Sequence, residues 1–323
     1  MNILITGGAG YIGSVAARML REVGHTVTIL DNLSRGFEPA LPDDVRFIQA
    51  DIADITEVLS TDDGIEAVIH LAAYAYVGES VQQPELYWNN NVVGTIKLLE
   101  GMRQLNIRTI VFASSCAAYG IPDRMPITED MPARPVNAYG MTKLAMDMAL
   151  TSEATAHGLA ATSLRFFNVA GSYQDGGERH NPETHIIPLA LAAAAGTRPN
   201  FLLYGSDYDT PDGTCVRDYI HVLDLARAME MALKGAQAGE HRMYNLGTGT
   251  GFSNKQVIEA VKDITGSDFP VTYGDRRPGD PPTLVASNLR AKKELGWEPI
   301  HSSLEKMIGD AWRFYQDYFG EQP

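Results

Sequence analysis

A glycine-rich stretch, Gly7-Gly8-Ala9-Gly10-Tyr11-Ile12-Gly13, lies between an apolar run at residues 2–6 and a helical pattern from about Tyr11 to Val23. Strand, glycine turn and helix in that order commit a chain to a βα unit whose turn comes close to another group. Glycine allows the tight turn and the close approach. The helix N-terminus behind it presents unpaired N–H groups and a partial positive charge, which suit the pyrophosphate of a dinucleotide. No lysine follows the glycines, so a P-loop is excluded.

Short β-rich apolar runs at Thr26–Leu30, Val45–Gln49, Ala67–Leu71, Thr109–Ala113 and Ala161–Arg165 alternate with helical segments, the longest at about 84–105 and 139–157. This alternation predicts an α/β fold, a Rossmann-type doubly wound parallel sheet with helices on both faces. Beyond about residue 170 the rhythm breaks. A polar loop, Gly171 to Pro182, precedes helices at about 185–195, 222–234, 253–265, 288–295 and 302–319, with short strands such as Val271–Tyr273. With 323 residues to place, more than one compact core usually holds, the expectation is a dinucleotide-binding domain at 1–170 and a smaller substrate-binding α/β lobe at 171–323, whose strands are free to cross back to the first.

A net charge of −14 argues against general nucleic-acid or anionic-membrane partners, which need a basic footprint. It leaves a small anionic ligand open, because a few local arginines suffice for that. The first residues run straight into a strand-like segment with no export signal, and no apolar stretch is long enough to span a bilayer. Two cysteines, Cys116 and Cys215, make no disulfide framework, and a reduced cytoplasmic setting is expected. The eight histidines make no metal-ligand pattern, so no metal site is expected.

Asp31 closes the second strand near the ~20-residue offset of a ribose-binding acid. A carboxylate there accepts hydrogen bonds from ribose hydroxyls and repels a 2′-phosphate, which favours NAD over NADP, although the nearby Arg35 could accommodate that phosphate. Asp51 ends the third strand, as an adenine neighbour or as a helix cap. Tyr139 and Lys143, four apart on a predicted helix, share a face. A free phenol has a pKa near ~10, and an adjacent ammonium together with an oxidised nicotinamide would lower it toward a usable base. Ser114 and Ser115 follow a strand at the edge that faces the ligand crevice. Adjacent residues point opposite ways, so one hydroxyl faces the ligand, and spacing does not choose which. Arg217 and Arg277 are forks suited to a diphosphate, or else surface partners of neighbouring aspartates.

Thr6–Gly13, Tyr139-Gly140-Met141-Thr142-Lys143 and Phe166-Phe167-Asn168 resemble the extended short-chain dehydrogenase/reductase family. Val77–Val81, Val216–Val222, Tyr244–Gly247 and Arg276-Arg277-Pro278-Gly279-Asp280 resemble its UDP-hexose 4-epimerase branch, over nearly the whole chain. The resemblance implies Tyr139 as general base, Lys143 as its partner and Ser115 as the catalytic hydroxyl. It implies cofactor contacts at Gly7, Gly10, Tyr11, Ile12, Gly13, Asp31, Asn32, Asp51, Ile52, Leu71, Ala72, Ala73, Asn90, Tyr139, Lys143 and Phe166. Nucleotide-sugar contacts are implied at Ser115, Asn168, His185, Ile186, Tyr204, Arg217, Arg277 and Asp280. Two positions depart from the family or vary within it. Ala75 stands where many relatives carry a lysine, and Leu284 stands where the side chain is linked to admitting an N-acetyl group.

The implied activity is NAD-dependent inversion of C4 of a UDP-hexose, UDP-galactose or UDP-glucose, through a transient 4-keto sugar, in a homodimer formed through the helices at about 84–105 and 139–157. The alternatives are a 4-epimerase for N-acetylhexosamine, pentose or uronate forms, a nucleotide-sugar dehydratase, an alcohol dehydrogenase and a non-catalytic NAD-binding protein. The dehydratase reading lacks its Asp-Glu pair, because Cys116-Ala117-Ala118 follows Ser115.

Overall fold

The computed structural model describes residues 1–277 and 279–320; Pro278 of the Arg276–Asp280 motif and residues 321–323 lie outside the described residues. Its strands are β1 (Asn2–Thr6), β2 (Thr26–Asp31), β3 (Arg46–Gln49), β4 (Ala67–His70), β5 (Thr109–Ser115), β6 (Ala160–Phe166), β7 (Asn168–Ala170), β8 (Phe201–Tyr204), β9 (Val216–His221), β10 (His241–Leu246), β11 (Gly251–Ser253), β12 (Val271–Gly274) and β13 (Thr283–Leu284). Seven of these make one parallel sheet in the order β3-β2-β1-β4-β5-β6-β10. The order reverses direction between β1 and β4, the switch point where open α/β sheets bind ligands beyond the carboxyl ends of their strands.

The central strands are apolar on both faces because both are covered. Ile3, Ile5, Ile29, Ile69, Val111 and Leu164 join one core with the helices Tyr11–Glu22 and Val222–Lys234. Leu4, Leu30, Val68, Ile110 and Phe112 point the other way, into a second core with Thr95–Gln104 and Ala138–His157. The alternation along β1 is the period-two consequence of the pleat.

A third core joins the helices Ile186–Ala194, Asn254–Thr265 and Leu304–Phe319. Beside it, β9 pairs with β7, β11 and β13, and β8 pairs with β12. The chain does not stay in this second region after residue 171: the helix Val222–Lys234 and β10 return to the large sheet, where β10 extends the β6 edge.

The sequence pattern predicts one helix at about 84–105. The structure instead has an α-helical turn Pro84–Tyr87, a π-helical stretch Trp88–Gly94 and an α-helix Thr95–Gln104. The wide turns carry Asn90 and Asn91 toward the carboxyl edge of the sheet; such bulges recur at functional sites.

One carboxylate ties the second region together. Asp218, fully buried on β9, accepts hydrogen bonds from the Thr248 N–H at 2.8 Å, the Thr248 hydroxyl at 2.7 Å, the Gly249 N–H at 3.0 Å and the Ala286 N–H at 3.0 Å. Removing it strands several buried donors. Asp218→Ala is expected to cost about 3 kcal/mol or more, read as an earlier midpoint in thermal or urea unfolding. A variant that unfolds like the parent would show that these bonds contribute nothing net.

Candidate active site

The three key glycines of the first turn have different reasons to be glycine. Gly7 has φ +73°, and a Cβ there would lie 2.5 Å from the Ala72 nitrogen. A Cβ on Gly13 would lie 2.3 Å from the Gly7 carbonyl oxygen. These two let backbone meet backbone. Gly10 is different: its Cβ would meet only the Gly7 oxygen, at 3.3 Å, so its outer side is open to a ligand. Gly10 also caps the helix Tyr11–Glu22 without a side-chain acceptor, leaving first-turn N–H groups to an incoming anion. Behind them, Tyr11 donates its hydroxyl to the Gly171 carbonyl at 2.5 Å, and Ile12 packs on the sheet core.

Asp31, buried at the end of β2, accepts from the Ala9 N–H at 3.0 Å and the Leu33 N–H at 2.8 Å, so it also braces the glycine turn. Burial raises its pKa against the pull of those bonds. Arg35 is engaged elsewhere: it pairs with Glu79 at 2.6 Å and lies over the rings of Tyr74 and Tyr76. That leaves the Asp31 carboxylate as the charge at the ribose position, which fits NAD. Asn32 donates to Asp51 at 3.0 Å, and Asp51 also caps the turn Ile52–Asp54 through the Ala53 N–H at 3.0 Å. A cavity of about 330 Å³ is lined by Asn32, Asp51, Tyr74, Asn90 and Gly94, bringing three expected cofactor residues to one hollow. Ile52 underlies Gly94, Leu71, Ala72 and Ala73 run from the end of β4 beneath the glycine turn, and Ala75 is exposed. The glycine cradle, the open side of Gly10, the Asp31 carboxylate and this hollow fit a dinucleotide.

The pleat separates the two serines. Ser114 donates to Asp147 at 3.1 Å inside the protein and is structural. Ser115, in register with Phe166 on β6, is the hydroxyl that acts on Tyr139 and favours its ionised form, while its Oγ accepts from the Ala117 N–H at 3.2 Å. Tyr139 is the second residue of the helix Ala138–His157, which Asn137 caps through the Gly140 N–H at 2.8 Å. An anion there is favoured by the helix terminus. Tyr87 sets its edge against the Tyr139 ring, with centroids 6.5 Å apart.

Lys143, one turn on, is buried, donates to the Ala113 carbonyl at 2.7 Å and lies 4.9 Å over the Phe112 ring. Burial pulls its pKa down to about 8, and the Asp147 carboxylate opposes this. The expectation paired Lys143 with an oxidised nicotinamide; in the protein alone Lys143 is not among the groups that act on the phenol. Burial dominates and pushes Tyr139 up to about 12, and the influence that pulls it back is the Ser115 hydroxyl. His70 nearby is lowered to about 3 by burial and by Lys143. Neutral His70 spans Thr6 at 2.6 Å and Thr95 at 2.8 Å. Thr95 donates to the Asn91 carbonyl at 2.7 Å and so accepts from His70 Nε2–H.

Across the crevice, Arg217 on β9 is largely buried and pairs with Asp280 at 3.3 Å rather than with adjacent Asp218. It lies in register with Leu284 and near enough to Cys116 to pull on its thiol. Arg277 stacks over Tyr204 at 4.3 Å. Asn168 is on β7, paired with Tyr219 of β9. His185 and Ile186 begin the helix Ile186–Ala194.

Several residues here escaped sequence reasoning. Asn91 accepts from the Tyr74 N–H at 2.9 Å and donates to the Tyr74 carbonyl at 3.0 Å and to the Thr142 hydroxyl at 3.2 Å, tying the wide turn to the Tyr139 helix. Its one sequence signal was its neighbour Asn90. The metal-ligand expectation also changes: Glu178, His180, Glu183 and His185 come together in the loop after β7, with the spacing E-x-H-x-x-E-x-H as the overlooked signal. Gly140 was seen only as part of a motif, yet a Cβ there would lie 2.4 Å from the Ala117 carbonyl, whose own N–H bonds Ser115 at 3.2 Å. Gly140→Ala is expected to push the Tyr139 helix off the Ser115 turn and cut kcat about tenfold or more, with bound dinucleotide unchanged by absorbance. A fully active variant would show that this approach does not set the phenol.

The model of the NAD dependent epimerase/dehydratase family matches residues 3–247. The chain is 53% identical over 314 residues to a UDP-glucose 4-epimerase of Corynebacterium glutamicum, covering 97% of this chain and 95% of that protein. Its fold is similar to the crystal structure of UDP-glucose 4-epimerase from Brucella ovis in complex with NAD, with TM-score 0.92, 44% identity and coverage of 97% and 98%. It is likewise similar to the Bifidobacterium longum UDP-glucose 4-epimerase in complex with NAD+ and UDP, with TM-score 0.93, 33% identity and 100% coverage of both chains. A parallel sheet with its glycine turn at the switch point, and a serine and a tyrosine meeting beside it, thus accompany a match over most of the chain: this protein belongs to the NAD dependent epimerase/dehydratase family.

Proposed function

We propose that the chain interconverts UDP-galactose and UDP-glucose by inverting C4 of the sugar, with NAD retained through the cycle. The observation that carries this reading is the meeting of Ser115 and Tyr139, with Lys143 one turn on, beside the dinucleotide turn. Bound NAD would supply a hydride acceptor and donor for C4 and a positive charge that favours the phenolate. Gly7, Gly10 and Gly13 with Asp31, Asn32 and Asp51 hold its adenosine side, and Lys143 serves its other ribose.

Tyr139 takes the proton of the 4-hydroxyl and later gives it back, with Ser115 in the hydrogen-bonded path. A phenol held at about 12 stays protonated near neutral pH, so the ionised form depends on the helix terminus, on Ser115 and on bound positive charge. Arg217, Arg277, Asp280, Tyr204, Asn168, His185 and Ile186 hold the UDP. Binding concentrated there leaves the hexose free to turn over while the intermediate stays captive. Leu284 packs with Cys116 and Phe167 and is proposed to bound the sugar end.

Exposed Trp88, Val93 and Ile96 on one helical segment and Met141 and Met148 on its neighbour form an apolar face. We assign it to a homodimer. A cytoplasmic location is proposed, in keeping with the two free thiols of Cys116 and Cys215.

Purified chain given UDP-galactose and no added NAD is expected to form UDP-glucose, followed by NMR. Tyr139→Phe is expected to lower kcat by about 10³-fold while keeping its dinucleotide. No epimer from any UDP-sugar, with or without NAD, overturns the assignment. Because the Ser115 hydroxyl favours the phenolate, Ser115→Ala should raise the phenol pKa. The limb on which activity rises with pH then moves to higher pH. A pH–rate profile that loses height without moving would place Ser115 outside the proton path.

A further inference from the structure

The loop between β7 and the helix Ile186–Ala194 has a side-chain cluster of which only His185 has been assigned a part in holding the UDP. One ligand atom from each of Glu178, His180, Glu183 and His185 lies within 4.8 Å of every other. Glu178 Oε1 is 2.8 Å from His180 Nδ1 and 2.8 Å from His185 Nδ1. Glu183 Oε1 is 2.8 Å from His185 Nδ1, and Glu183 Oε2 is 4.0 Å from His180 Nδ1. Both imidazoles therefore aim the same kind of nitrogen at the same pair of carboxylates.

The cluster is held from behind. Glu183 Oε1 accepts from the Thr184 N–H at 2.6 Å and the His185 N–H at 2.7 Å. The His180 ring rests edge-on against Tyr76 at 5.7 Å and Tyr11 at 6.5 Å. The Glu178 and Glu183 side chains are 11% and 20% exposed, so the acids lie inside and the imidazoles close over them. Among the described residues, no backbone–backbone hydrogen bond involves 177–184. Side chains give this stretch its shape: the cluster on one side, and on the other buried Arg179, which donates to the Asp175 carbonyl at 2.7 Å and lies 4.6 Å over the Phe314 ring.

We propose that Glu178, His180, Glu183 and His185 form a binding site for one first-row divalent cation of the zinc type. Two imidazole nitrogens and two carboxylate oxygens are a borderline donor set that suits such an ion over calcium or magnesium. Metal–ligand bonds of about 2.0–2.2 Å put tetrahedral ligand atoms about 3.4 Å apart, so the present spacing needs to open by about half an ångström at its tightest pairs. On binding, each Nδ1 gives its lone pair to the metal, any proton it carries passing to solvent or to its own Nε2, and nothing is oxidised or reduced. The site staples residues 178–185 over Tyr11, which opens the helix behind the glycine turn.

The test uses tag-free, full-length chain stripped with chelator and titrated with zinc chloride by calorimetry. One equivalent with a submicromolar Kd is expected, with proton release seen as a dependence of the heat on buffer ionisation. Cobalt(II) loading of the parent chain should give the intense visible bands of a low-coordinate nitrogen–oxygen site. Glu178→Gln with His180→Gln should weaken zinc at least 100-fold and abolish the zinc-induced rise in Tm. Absence of stoichiometric zinc and of a cobalt spectrum in the folded parent chain overturns the site. So does equal zinc affinity in the double variant, which would place the ion elsewhere. If the double variant fails to fold, the cobalt spectrum and stoichiometry of the parent chain decide.

Discussion

Backbone touching backbone at the first turn is the constraint on which the rest of this molecule depends. Gly7 lies against Ala72, and Gly13 lies against Gly7 itself, at distances that no Cβ could share. This brings the helix Tyr11–Glu22 down onto the switch point and fixes where β4 ends relative to β1. The Asp31 carboxylate then accepts from the same turn through the Ala9 N–H. Ligand recognition and loop geometry are one structure here, and the residue left open toward solvent, Gly10, is the one that needs ligand space.

The second organising fact is how charge is kept beneath the crevice. Lys143 and Asp147 are one turn apart on the same helix, and Asp147 in turn binds Arg165 at 2.8 Å and Ser114. Arg165 lies 4.6 Å over Tyr119, whose hydroxyl donates to Asn245 at 2.7 Å on the returning strand β10. Partnered in this way, buried ions cost less than isolated ones. Around Lys143 the polar groups are neutral: His70 is held uncharged between two threonines. A cation therefore sits at the Tyr139 end of the crevice without a carboxylate in direct contact to quench it.

Much of the first half was legible in the sequence because its signals are local. The glycine turn, the period-two strands and the i,i+4 pair Tyr139/Lys143 are each written within a few residues. Ser115 was separable from Ser114 only by the pleat once β5 was placed, or by resemblance. What stayed hidden depends on contacts between distant segments. Gly140 matters because of Ala117, and Asn91 matters because π-helical turns re-aim its side chain toward Tyr74. Glu178 and His180 gained meaning only when the loop folded onto Glu183 and His185. The ionisation of the phenol was legible only in part for the same reason. Proximity of Lys143 was readable, whereas the depth of burial around Tyr139, which decides its ionisation, is a property of the folded crevice.

The late return of β10 has a consequence for how the molecule comes into being. Until residue 246 has been made, β6 is the open margin of a buried sheet, with Ala161 and Leu164 facing opposite cores and its backbone groups unmatched on one side. Nascent chain up to the end of the first βαβ succession is thus an adhesive intermediate, vulnerable to pairing with a neighbouring copy. The polar segment that precedes β10, from Gly235 to Glu240, sets how quickly that margin can be sealed after the helix Val222–Lys234 has docked.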